Sequence, residues 1–185
     1  IAEVLSDTGY TCFGYSPTPN TDERFGFGQG FDEFETFVDP GKQGSKIREW
    51  LSRINALRWI YYKMYPPQAK SENRPRDREV VEHAIAEFND AEPPRFLWIH
   101  LMETHRPYGV SDEAISKKLD QKAFFKPNKL TEEEKQRIEK KYRAAIGRAD
   151  ENINHLLGEI DSDPIVAFTS DHGEGFGEDG FYFHQ

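Results

Sequence analysis

The chain has a single cysteine, Cys12, in 185 residues. One thiol excludes an internal disulfide framework and any cysteine-based zinc cluster. Long apolar runs are also missing. None approaches the roughly 18 residues of a membrane span, and no signal-peptide pattern is present, so no membrane partner is expected for this segment. Positive charge is in deficit, with 24 Lys and Arg against 33 Asp and Glu and a formal net charge of −9. A general nucleic-acid binder needs a basic face, so that class is excluded, and the acidic balance leans toward a cytoplasmic or salt-rich milieu. The glycines between Gly26 and Gly30 lack a phosphate-loop lysine, which leaves a nucleotide cradle without support. No internal repeat or low-complexity segment occurs.

What is present fits about one globular domain, with 36% hydrophobic and 14% aromatic residues. Residues 1–8 read as a helix stopped at Gly9, followed by a strand from Tyr10 to Tyr15. Residues 25–34, rich in phenylalanine and glycine, read as a loop. Ile47, Trp50, Leu51, Ile54, Leu57 and Ile60 recur at mostly three- and four-residue intervals, the period of an amphipathic helix that Pro66-Pro67 ends. A shorter helix is expected from about Arg78 to Asn89. Ten of the 24 basic residues lie between Lys42 and Arg78, beside Trp59, Tyr61, Tyr62 and Tyr65. A solvated helix face is the preferred reading there, ahead of an anionic-substrate wall or a membrane-interface contact. The stretch from Gly109 to Asn128 reads as a long loop, a candidate lid over a substrate.

The clearest helix opens at Thr131, where Glu134 completes a capping box. Its apolar positions Ile138, Tyr142, Ile146, Ala149, Ile153, Leu156, Leu157 and Ile160 define one face, expected to pack across a sheet. Buried strands are expected on either side of it, over Phe96–Met102 and from Ile165 to Asp171. A helix between two non-alternating apolar strands is the pattern of a parallel crossover. It predicts an α/β fold with a mostly parallel sheet flanked by helices.

Both strands run into polar chemistry. The second delivers Asp171 and His172 onto Gly173, and ligands of open parallel sheets bind beyond the carboxyl ends of strands. Adjacent strand residues face opposite ways, so both side chains reach one site only where the strand has stopped, which Gly173 permits. A carboxylate beside an imidazole suits a divalent ion. Taken alone, a strand-end aspartate before glycine is more often a turn stabiliser. The first strand runs into Glu103-Thr-His-Arg-Pro-Tyr108. Arg106 either meets a substrate anion with its guanidinium fork or closes a salt bridge. Glu174 either holds His172 or is an exposed loop carboxylate. His100 reads as a core or supporting histidine, and His83 and His155 as packing or surface residues without partners at metal spacing.

Together, Phe-Leu-Trp-Ile-His-Leu-Met-Glu-Thr-His-Arg-Pro-Tyr and Phe-Thr-Ser-Asp-His-Gly-Glu resemble the paired signatures of the sulfatase family, within the alkaline-phosphatase-like superfamily. Ala2–Tyr15 is similar to the family's helix and strand after the nucleophile, and Phe27-Gly-Gln-Gly-Phe-Asp-Glu-Phe34 to its Gly-Phe-Asp-x-Phe segment. The helix carrying Tyr142 and Asp150 is similar in spacing to the one before the metal-binding strand.

The resemblance implies an alkaline-phosphatase-like fold, here incomplete, with residues 1–185 forming part of a single catalytic domain. It implies that Asp171 and His172 bind a divalent metal ion (Ca, Mg, Mn or Zn), and that His105 and, on a weaker match, His184 serve catalysis at the sulfate or phosphate group. Where relatives read Gly-Glu-His-Gly, this chain has Gly177-Glu-Asp-Gly180, so a role resting on that first histidine is lost or passes to Asp179. The formylglycine motif C/S-x-P-x-R and the N-terminal acidic metal ligands have no counterpart. The expectation is therefore an internal fragment, inactive alone, of a metal-dependent hydrolase of small-molecule or glycan sulfate esters. Two alternatives stay open: a phosphatase, phosphodiesterase or phosphoglycerol or phosphoethanolamine transferase on the same scaffold, and a binding protein that keeps the fold without the chemistry.

Overall fold

A computed structural model describes residues 1–37, 76–109 and 113–184. The chain builds a three-stranded parallel sheet in the order β2-β1-β3, from β1 (Thr11–Ser16), β2 (Glu33–Thr36) and β3 (Arg95–Ile99). Helices cover both of its faces, so the architecture is α/β, as expected. Helix α1 (Ala2–Ser6) ends before Gly9, whose φ of +91° only glycine takes without cost. It lies against the face bearing Cys12, whose thiol donates to the Ala2 carbonyl. Helix α2 (Asp77–Asp90) covers the opposite face, and its Val80, Ala84 and Phe88 pack with Phe13 and Tyr15 of β1.

Strand alternation explains the division. Phe13 and Tyr15 face α2, while Cys12 and Gly14 face a layer of Phe31, Phe34, Phe96 and Trp98 whose rings lie 5.3–6.3 Å apart. Gly14 is required there: a Cβ would stand 2.4 Å from the Phe34 ring. The pairing of β2 begins at Asp32, which takes the Cys12 amide on its carboxylate at 2.8 Å and returns its own amide to the Cys12 carbonyl. The expected loop over residues 25–34 ends inside β2, whose Glu33-Phe-Glu-Thr36 has too little apolar content to signal a strand.

After β3 come α3 (Lys117–Phe125), the long α4 (Glu132–Glu159), and a hairpin of β4 (Gly175–Phe176) with β5 (Tyr182–Phe183). The expected long loop from Gly109 to Asn128 thus contains a helix, started by the Ser116 hydroxyl accepting the Leu119 amide. The capping box at Thr131 forms as predicted. Helix α4 does not lie directly across the sheet. Ile138 and Ala145 join a second core with Tyr108, Leu119, Ala123, Leu130 and Phe183, while its far end reaches α2 and the first core through Ile160. Ile146 and Leu157 remain exposed.

Two strand expectations change. β3 stops at Ile99 rather than Met102, leaving His100 as the first residue beyond the ladder, its amide bonded to the Tyr15 carbonyl. The expected strand from Ile165 to Asp171 joins no ladder among the described residues, and Ile165, Val166 and Phe168 are exposed. A β-branched run gains its burial only when neighbouring strands cover it, and none of the described strands lies beside this one. The helix expected over residues 45–64 and most of the basic-aromatic region fall outside the described residues.

Candidate functional site

The carboxyl ends of the strands carry the polar chemistry. Ser16 closes β1 fully buried. Its hydroxyl lies 3.2 Å from His100 Nδ1 and accepts the Thr21 hydroxyl at 2.6 Å. Burial holds the His100 imidazole below its ordinary pKa, and the Asp171 charge pulls the other way. His100 thus sits at the end of the sheet, held by Ser16 and by the Tyr15 carbonyl.

From His100 the chain enters a pinned loop. The Asp77 carboxylate, at the start of α2, accepts the Met102 and Glu103 amides at 2.7 Å each. Glu103 is buried and takes Arg148 of α4 at 2.8 Å, and the same arginine donates to the Tyr108 carbonyl. His105 and Tyr108 are set by this frame. Tyr108 is fully buried with φ of +67°, and Phe183, whose ring lies 6.0 Å away, has φ of +70°. Left-handed backbone at bulky residues costs on the order of 1–3 kcal/mol each and survives where surroundings impose it, often at functional sites.

The second segment meets the first here. His184 brings its ring to 5.3 Å from His105 and 4.2 Å from His172, between centroids. His172 Nε2 lies 3.6 Å from Asp171 Oδ2, with both side chains open to solvent. The four site residues expected from the sequence are thus neighbours. Asp171 and His172 place two potential donor groups side by side; among the described residues, three such groups at ligand spacing come together at Glu33, Glu35 and His83.

Glu174 departs from the exposed-loop reading. Its side chain is only 6% exposed and turns toward His184, with Oε2 3.5 Å from Nδ1, instead of holding His172. Burial raises its pKa to about 7, against the opposing influence of the Tyr108 hydroxyl and the His172 and Arg106 charges. Desolvation and the nearby His172 and Arg106 charges lower the His184 pKa, so a neutral imidazole is favoured. Arg106 resolves toward structure. It is buried, 3.3 Å from Asp120, and stacks its guanidinium over Phe124 and Phe183. Asp179 is exposed in the β4–β5 turn. His83 and His155 do have acidic partners, contributed by other elements: Glu33 and Glu35 for His83, Glu82 for His155. Such pairings across elements leave no spacing for a sequence to show.

The sequence model of the sulfatase family matches residues 1–185, the whole chain. The chain belongs to the sulfatase family. Membership places this sulfatase-family protein's chemistry among the hydrolases of that superfamily. No curated protein and no solved structure matches it significantly. Cys12, the one thiol of this family member, is fully buried in β1 and its pKa is raised, chiefly by burial, and both disfavour a thiolate nucleophile there.

Proposed function

We propose that this chain supplies the metal-binding and oxyanion-binding side of a sulfate-ester hydrolase. The observation that supports this most is the convergence of His105, His172 and His184 beside Asp171, at the carboxyl ends of a parallel sheet. Asp171 and His172 would hold a divalent ion, which when bound supplies charge to lower a nucleophile's pKa and offset charge on the ester's nonbridging oxygens. The chain's own residues do the rest. His105 donates a hydrogen bond to the oxyanion or a proton to the leaving oxygen, and a neutral His184 serves as its donor or acceptor neighbour. Glu174, with the Tyr108 hydroxyl beside it, lies behind His184.

The test separates the two roles. In the native protein, His105→Ala should lower kcat for an aryl sulfate by about 100-fold or more while bound metal stays constant. Asp171→Ala should remove the metal, and unchanged metal in that variant would sink its assignment. Paired aryl sulfate and aryl phosphate substrates decide the ester, since cleavage of phosphate alone would place the chain with the phosphoryl-transfer members instead.

A further inference from the structure

The geometry points to a second divalent-cation site, of tetrahedral zinc type, formed by Glu33, Glu35 and His83 on the α2 face of the sheet. It shares no residue with the histidine cluster. Glu33 and Glu35 are alternate residues of β2, so both carboxylates leave the sheet on one side. His83, in the second turn of α2, sits over that side with Nε2 3.5 Å from Glu33 Oε1 and 3.5 Å from Glu35 Oε2. All three donor atoms lie within 4.8 Å of one another.

That spacing is the decisive feature. A hydrogen bond from an imidazole to a carboxylate closes to about 2.7–3.2 Å. Two donors on a tetrahedral ion with bonds of about 2.1 Å stand roughly 3.4 Å apart. His83 Nε2 is sealed from solvent and lies 3.5 Å from an oxygen of each carboxylate, beyond the closure of a hydrogen bond. Its aim is fixed independently. The ring stands edge-on to Tyr15 at 5.0 Å and to Phe37 at 5.2 Å, and the Tyr15 hydroxyl donates to Glu33 Oε1 at 2.6 Å. A hydrogen-bonded carboxylate and a ring locked by packing are the outer supports typical of metal ligands. The glutamate side chains are 40% and 49% exposed, which leaves an open side for ion entry and for water as the fourth ligand. An ion there would clamp the β2 strand to α2.

The experiment uses the Asp171→Asn/His172→Gln protein, in which the other proposed metal position is disabled. After metal removal and dialysis against Zn²⁺, it should retain one ion and unfold at a higher temperature than without zinc. Co²⁺ in its place should give the intense visible absorption of a tetrahedral centre. Adding Glu35→Gln, at a half-exposed position that leaves the His83 ring packed, should weaken zinc binding by at least about tenfold and abolish the cobalt spectrum. His83→Ala should do the same, with circular dichroism checking its fold. The proposal is overturned if the parent retains no zinc. Zinc retention that ignores Glu35→Gln overturns it equally.

Discussion

At the scale of single residues, burial decides which groups react. Cys12 is shut inside β1 with a raised pKa, so a thiol-alkylating reagent should leave the native chain unmodified at neutral pH and label it only once denaturant opens the sheet. Mass spectrometry with and without urea reads this directly. His100 gives a pH prediction with a definite sign. Its folded pKa lies below the ordinary 6.5, so the folded state prefers the neutral ring. The stability it contributes is complete above 6.5 and is lost as pH falls from there through the depressed value. Urea midpoints should therefore drop below that pH, and His100→Gln should flatten the drop. The residues proposed for the site were named from sequence motifs, and the fold brings Asp171, His172, His105 and His184 into one cluster. The burial of Glu174 and the acidic neighbours of His83 were not, since each depends on contacts between segments far apart in the chain.

At the scale of elements, local chemistry and tertiary contact divide the outcome. The α4 capping box is a local signal, and Thr131→Ala should cost about 1 kcal/mol by leaving the Glu134 amide unpaired. Differential scanning calorimetry would register it as a lower midpoint. The Ile165–Ser170 stretch shows the opposite case. Its β-branched residues read as a buried strand, yet its backbone has no ladder, so its amides should exchange hydrogen fast while those of β1 stay protected. Slow exchange across residues 165–170 would contradict the unpaired arrangement. Helix α3 escaped the sequence reading because Lys117–Phe125 has few apolar residues with helical spacing, and its place depends on packing Leu119 and Ala123 against Tyr108 and Ile138.

At the scale of the whole molecule, two cores must be held in register for the histidine cluster to exist. One core fills the space between the sheet and α2; the other lies among α3, α4 and the hairpin. Arg148 ties α4 to the His105 loop through Glu103 and the Tyr108 carbonyl. Removing it strands a carboxylate whose side chain is 3% exposed. Arg148→Met should destabilise the fold by about 1–3 kcal/mol, the cost of a buried polar group left unpaired, with the arginine's own partial exposure keeping it below the full buried-pair value. Chemical denaturation measures it. No helix among the described residues is long and apolar enough to cross a membrane.

The sequence by itself determined the α/β class, the capped helix α4, the turn at Gly9 and the family motifs that carry the proposed site histidines, because each rests on short-range period, capping chemistry or motif. Only the tertiary structure decided that β2 pairs beside β1, that Arg106 is spent on Asp120 and aromatic rings, that Glu174 turns inward, and that His83 faces two glutamates. Those outcomes depend on which surfaces meet across the sheet, and a pairing between residues fifty positions apart leaves no periodic trace in the chain.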